Sequence, residues 1–207
     1  MDVLDLASPA GQFLLRFVQE SSAIEDVSIA DDALVAGWAE RRGHMGALRQ
    51  LLELAAAREP LTIQHVCGWQ ALITREQLPY GHWIADEHIG RLRTQRMRWG
   101  RLQFADPADI RPQLENILDA LNRPPGDPLE VAADAHWRFE LVHPFADGNG
   151  RTGRLLALYT LRAAGVRPVL FTYGDRDSRY FRAFQLNERE RLLAYFAEHQ
   201  LEDDPLA

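Results

Sequence analysis

Residues 143–154 read HPFADGNGRTGR, and most side chains in the run can take part in chemistry on an anion. His143 accepts a proton near neutral pH. Asp147 is a carboxylate suited to Mg2+, which uses one or two carboxylates and completes its shell with phosphate oxygens. Gly148 and Gly150 are expected to take backbone turns closed to other residues. A glycine turn running into a helix presents unpaired N–H groups at a positive dipole end, a cradle for phosphate. Arg151 and Arg154, three apart, put two guanidinium forks near one face of the first turn. Cations at a helix N-terminus oppose the macrodipole by about 0.3–1 kcal/mol each when exposed, so a structural helix start favours acids. Two arginines there point to a polyanion.

The elements that must position this turn are mostly helical. Ser8-Pro9 reads as an N-cap and first-turn pair, followed by Phe13, Leu14, Phe17 and Val18 to about Glu25. Asp31 and Asp32 open a second stretch, Ala33 to Ala57, with a break expected near Gly43. Thr62 caps a third, to Leu72. Residues 91–104, RLRTQRMRWGRLQF, are arginine-rich and interrupted by Gly100, which predicts a short hairpin. Helical spacing returns over Asp109 to Leu121. RPPGDP at 123–128 is a break, and Pro128 suits the first turn of a helix over 128–142. The helix after the glycine turn runs from near Gly150 to about Ala164 and stops at Gly165. A last pair covers roughly 176–186 and 188–200. His44, His65 and His199 are read as structural or solvated.

Composition narrows the chemistry. At 207 residues, 46% hydrophobic and 26% charged, the chain is long enough for one domain with a buried core. All 23 basic side chains are arginine and the net charge is −7. The lack of lysine excludes a Walker A loop, and the acidic balance speaks against nucleic-acid binding. No apolar run is long enough for a membrane helix. The start, MDVLDLASPAG, carries acids where a signal peptide needs bases, so cytoplasmic residence is expected. The lone Cys67 sits in an apolar stretch and reads as a buried small residue.

HPFADGNGRTGR resembles the Fic signature, His-Pro-Phe-x-Asp/Glu-Gly-Asn-Gly-Arg-x-x-Arg, and every specified position matches. The looser likeness runs from about residue 10 to 200. It implies an all-α Fic fold with a small β-hairpin flap, binding Mg·ATP and transferring AMP to a Tyr, Thr or Ser hydroxyl of a target protein. His143 would be the general base and Asp147 the metal ligand. Gly148, Asn149 and Gly150 would form the anion hole, with Asn149 orienting the α-phosphate. Arg151 and Arg154 would grip the β- and γ-phosphates, with Thr152 and Gly153 between them in the same binding turn. The related Doc proteins carry lysine where this chain has Gly150.

Three further segments are similar to family features. Thr94, Gln95, Arg96 and Met97 would be the flap edge onto which an extended target segment adds as a strand. Tyr180 and Asn187, seven apart, would line the adenosine pocket. Ser21-Ser22-Ala23-Ile24-Glu25-Asp26 resembles the inhibitory motif Ser/Thr-x-x-x-Glu-Gly/Asn. Ser21 and Glu25 would share a helix face, and Glu25 would pair with Arg154. Asp26 departs from the motif. Residues 1–30 are thus expected to form an inhibitory segment and 31–207 one compact Fic unit. The family's self-association admits a homo-oligomer. The same fold also admits AMP removal, transfer of another phosphate-containing group, or a non-catalytic helical module.

Overall fold

A computed structural model describes residues 7–26, 34–75, 85–123 and 126–207, with backbone alone over 34–41. The acidic N-terminal residues, Asp31 and Asp32, the helix start at Ala33 and the Pro124-Pro125 pair lie outside the described residues, as does the boundary drawn at residue 30.

The helices are α1 (Pro9–Ile24), α2 (Leu34–Ala57), α3 (Ile63–Arg75), α4 (Pro107–Asn122), α5 (Pro128–Val142), α6 (Asn149–Ala163), α7 (Phe181–Leu186) and α8 (Arg189–His199). One antiparallel hairpin, β1 (Arg98–Trp99) and β2 (Leu102–Gln103), pairs Arg98 with Gln103 and Trp99 with Leu102. The chain is all-α with a small hairpin, as its patterning requires.

Local chemistry sets the helix ends. Ser8 accepts from the Gly11 N–H at 3.1 Å, and Pro9 occupies the first turn of α1. Asp127 accepts from the N–H groups of Leu129 and Glu130 at 2.8 and 3.1 Å, with Pro128 behind it. At α3, Thr62 Oγ1 accepts from the His65 N–H and His65 Nδ1 from the Thr62 N–H, both at 3.3 Å. That is a reciprocal cap with imidazole in the usual carboxylate's place. His65 is therefore structural, and α3 runs one turn beyond the expected Leu72.

The architecture centres on α6. Every residue from Asn149 to Leu161 is buried, so this helix is covered on all sides. It packs against α5, α2, α3 and α1, while α5 also meets α4 and α8. Phe171, Tyr180, Phe184 and Phe196 surround His136 beneath the C-terminal helices, and Tyr195 packs on Phe171 and Tyr180. The first of those helices is entered through a π-helical turn, Arg176–Tyr180, where a regular helix was expected. Cys67 is half-buried rather than buried; burial pushes its thiol up, away from the reactive thiolate.

Gly43 does not break α2. It lies inside the helix, where a Cβ would overlap the Leu72 carbonyl oxygen of α3. The glycine is there for a close crossing of two helices, a demand local propensity does not register. Gly43→Ala should therefore cost about 1–3 kcal/mol in guanidinium unfolding. Gly46→Ala, whose Cβ would find its nearest neighbour at 3.9 Å, should be neutral or stabilising. Equal effects of the two would show that the crossing is not the constraint.

Candidate active site

The bend between α5 and α6 is held by side chains from two other segments. α5 ends where His143 turns to φ 49°, a left-handed conformation that a non-glycine residue before proline adopts only under restraint. Arg93 supplies the restraint. Its Nε donates to the His143 carbonyl at 2.6 Å and its Nη2 to those of Val142 and Ala105 at 3.0 and 2.7 Å. Nη1 donates to Gln95 at 2.6 Å, and the Arg93 N–H to Pro144 at 2.8 Å. A buried cation at a helix C-terminus thus satisfies orphan carbonyls and ties them to the hairpin segment. From α3, Gln70 donates to the Asp147 carbonyl at 3.0 Å and accepts from the Gly90 N–H at 2.6 Å.

Asn149 braces the bend from within. Its Oδ1 accepts from the Phe145 N–H at 2.8 Å, and its Nδ2 donates to the Phe145 carbonyl at 2.9 Å. Gly148 caps α6 with φ 79°. Gly150, by contrast, is helical; the expected turn is not there. Its lack of a side chain serves close approach, because a Cβ would overlap Glu25 Oε1. Gly153 is glycine for a similar reason. A Cβ there would stand 2.7 Å from Glu140 Oε1 and 2.8 Å from His136 Nδ1.

The two arginines of the signature are both buried inside the protein. Arg151 Nη2 donates to Asp147 Oδ2 at 3.0 Å. Arg154 meets the end of α1: Nε donates to Ser21 Oγ, and Nη2 to the Ser21 carbonyl and Glu25 Oε1, each at 2.8 Å. Arg154 Nη1 donates to the Tyr180 hydroxyl at 3.2 Å, which pairs in turn with His136 Nε2 at 2.7 Å. The buried Arg154 charge is thus met by the chain's own carboxylate, Glu25. Asp26 ends α1 at φ 57° and forms a two-pronged ion pair with Arg176, Nη2 to Oδ2 at 2.8 Å. Asp26 therefore takes the left-handed position of a glycine or asparagine and adds an anchor, which lowers its own pKa.

His143 stacks on Phe104 with centroids 3.8 Å apart and planes 6° from parallel. Its Nδ1 faces the Glu140 carbonyl at 3.3 Å, which leaves Nε2 for the cavity the ring lines. Burial pushes its pKa down to about 4, so the imidazole is a neutral proton acceptor at pH 7. The cavity is about 440 Å³. Glu25, Glu140, His143, Gly150 and Tyr180 line it together with Met97, Trp99 and Phe181.

Of the expected site residues, His143, Gly150, Tyr180, Glu25 and Met97 meet at this cavity. Ser21, Thr152, Gly153 and Arg154 sit behind it, and Asp147 and Arg151 stand beside it as an ion pair. Asn187 does not line it; it is an exposed cap of α7 at φ 55°. Thr94, Gln95 and Arg96 are exposed, in a run that bends at Gln95 before the hairpin rather than in its paired rungs. Gln70, Arg93 and Glu140 went unnoticed in the sequence. Glu140 carried a signal: an acid in an apolar helix, one turn before His143.

Residues 60–161 match the family described as Fic/DOC. That stretch is a Fic/DOC-family domain. A relative named protein adenylyltransferase fic-1, from Caenorhabditis elegans, is 37% identical over 115 residues, spanning 53% of this chain and 23% of that protein. The chain thus covers about a quarter of the relative's length. A Fic domain containing signaling protein from Bacteroides thetaiotaomicron superposes with TM-score 0.78 at 21% identity, over 95% of this chain and 85% of that one. Residues 134–508 of the C. elegans Fic-1 superpose with TM-score 0.75 at 26% identity, covering 91% and 60%.

Two buried histidines, His44 and His136, and the half-buried His143 give this Fic domain an acid limit. Burial holds His143 to about 4 and His136 to about 3, and lowers His44 well below its ordinary value. With folded pKa values depressed, their stabilising contribution is present above about pH 6.5 and is lost as pH falls towards the folded values. The slope is about 1.4 kcal/mol per pH unit for each. Glu140 has the opposite sign. Burial first, then the Glu25 charge, raises it to about 8, so its contribution is present below about pH 4.5 and lost as pH rises towards 8. Urea midpoints should fall steeply below pH 6, and Glu140→Gln should raise the midpoint at pH 8 but not at pH 4.5. A flat profile would refute the assignment of neutral imidazoles.

Proposed function

We propose that this protein transfers AMP from ATP to a Tyr, Thr or Ser hydroxyl of a target protein, and that Glu25 restrains it. One observation carries the reading: a neutral imidazole lines the same cavity as a carboxylate that occupies the buried arginine of a helix N-terminal cradle. The target oxygen attacks the α-phosphorus and its proton passes to His143 Nε2. The α–β phosphoanhydride bond breaks and pyrophosphate leaves. Such transfers rest on positioning and charge stabilisation, which the N–H groups of the first turn of α6 and the guanidinium of Arg154 supply. With Glu25 docked, Arg154 donates to a carboxylate in place of a terminal phosphate.

Among the described residues no group of three His, Cys, Asp or Glu forms a metal cage. Asp147 fits the lesser demand of Mg2+, which takes one carboxylate and draws its other ligands from phosphate and water. The ion, when bound, neutralises phosphate charge and orients the leaving group. The 94–97 segment, exposed over Thr94, Gln95 and Arg96, donates no backbone hydrogen bond to a described residue, which supports a target strand adding there. A carboxylate lining the cavity beside His143 also fits activation of water, the reverse reaction that removes AMP from a modified protein.

Glu25→Gly should raise ATP-dependent self-labelling by about tenfold or more, measured as a mass gain equal to one AMP. No rise would remove the restraint and leave the transfer reading standing. His143→Ala should abolish labelling while ATP still binds by calorimetry; persistent labelling would place the base elsewhere. Incubating the parent protein with a premodified target reads the reverse reaction.

A further inference from the structure

The hairpin borders the cavity, and its register sorts its side chains into two faces. Trp99 pairs with Leu102 and Arg98 with Gln103. The Phe104 N–H donates to the Met97 carbonyl at 3.3 Å, which carries the same register one step further. Met97, Trp99, Leu102 and Phe104 therefore share one face, and all four line the cavity. From this face Phe104 stacks on His143 and Trp99 meets Phe181 edge to face at 5.4 Å. Alternation puts Arg96 and Arg98 on the other face. Both are exposed, and Arg98 stands where that face meets the cavity mouth.

The register also fixes which backbone groups are already used. A hydrogen-bonded pair at Met97 and Phe104 requires the next at Trp99 and Leu102. Arg98 and Gln103 lie between them as the pair whose N–H and C=O groups turn outward. Arg96, two residues back, has no backbone–backbone hydrogen bond among the described residues. The open edge of the hairpin is thus made by two arginines. Arg96 is paired with Asp106 at the N-cap of α4, Nε to Oδ1 at 2.8 Å and Nη2 to Oδ2 at 3.2 Å. Arg98 has no such partner among the described residues. Residues 91–103 hold five arginines and no acid, in a chain of net charge −7.

We propose that the target segment carries an aspartate or glutamate immediately on either side of the hydroxyl residue it presents. This rests on the AMP-transfer reading of the cavity and on a strand adding to the hairpin edge.

In an added strand each residue shares the face of the one it lies beside. A hydroxyl that must reach His143 lies beside Met97, on the face from which Phe104 touches the imidazole. Its two neighbours then lie beside Arg96 and Arg98 on the outer face, with Cβ atoms about 4.5–5.5 Å from those of the arginines. Acids at these positions are favoured and bases opposed. The carboxylate beside Arg98 meets a guanidinium that no other carboxylate holds, while the one beside Arg96 shares it with Asp106. Positions two removed from the hydroxyl return to the cavity face, where an acid gains nothing. A nucleic acid would meet the arginines but leave the N–H and C=O groups of the edge unpaired.

The test uses the full chain carrying Glu25→Gly and short fluorescent peptides whose single threonine is flanked on both sides by Glu, Gln or Lys. Transfer is read as a mass gain of one AMP, and binding separately by anisotropy. The kcat/KM of the Glu-flanked peptide should exceed that of the Gln-flanked one by about threefold or more, with Lys-flanked lowest and Kd in the same order. Moving both glutamates one residue outward should return kcat/KM to the Gln level. Arg98→Glu should reverse the order in favour of the Lys-flanked peptide, and added salt should shrink every difference. No preference among the peptides, an equal gain from the outer glutamates, or an order unchanged by Arg98→Glu would overturn the proposal. Tighter binding of a single-stranded oligonucleotide than of the Glu-flanked peptide, lost in Arg98→Glu, would reassign the face to nucleic acid. Should no peptide receive AMP while binding still follows the expected order and its reversal, the transfer reading fails and the acid-selecting edge stands.

Discussion

A guanidinium with no exposed surface at the positive end of a helix is the constraint around which this protein is arranged. Arg154 cannot lose its charge, and both burial and the α6 dipole disfavour it. It must be met by an anion and by acceptors, and all of them come from outside α6: Ser21 and Glu25 from α1, Tyr180 from the π-helical turn. That requirement brings the first helix against the centre of the fold. It also explains the absence of a side chain at Gly150, since the carboxylate needs the space over the first turn. In the proposed reaction a nucleotide phosphate competes with Glu25 for the same charge.

The bend that presents His143 is a second case of one group with several duties. Arg93 neutralises the end of α5, holds a left-handed histidine in place and joins the hairpin to the bend. Gln70 does similar work from α3 with a neutral amide. The geometry of the bend thus depends on buried polar side chains that do not line the cavity. Their replacement would disturb the site without removing a reacting atom.

How much of this could be read in the sequence depends on whether the feature is local. Helix ends at Ser8-Pro9, Asp127-Pro128 and Gly165 were legible because caps are set by neighbours a few residues away. The glycine turn, His143 and the arginine pair were legible because their spacing is chemically unusual. The partners of Ser21 and Glu25 became readable only through the family resemblance, since 129 positions separate Glu25 from Arg154. Gly43 was misread as a break because its neighbour is a backbone carbonyl of another helix. Arg93 was hidden among the other arginines of 91–104, whose periodicity does not mark which one turns inward. Asn149 was assigned to phosphate, while its amide is committed to Phe145 of its own bend. Asn187 shows the opposite failure: a suggestive seven-residue interval ended at an exposed cap.

The grip of Arg93 on both the hairpin segment and the His143 carbonyl has a mechanical corollary. The exposed run at 94–97 begins one residue after this buried fork, and Gln95 is one of the carbonyls it holds. In the proposed reaction a target strand laid along that run would rest on the same planar cation that holds the His143 carbonyl, so polypeptide and imidazole would share one support.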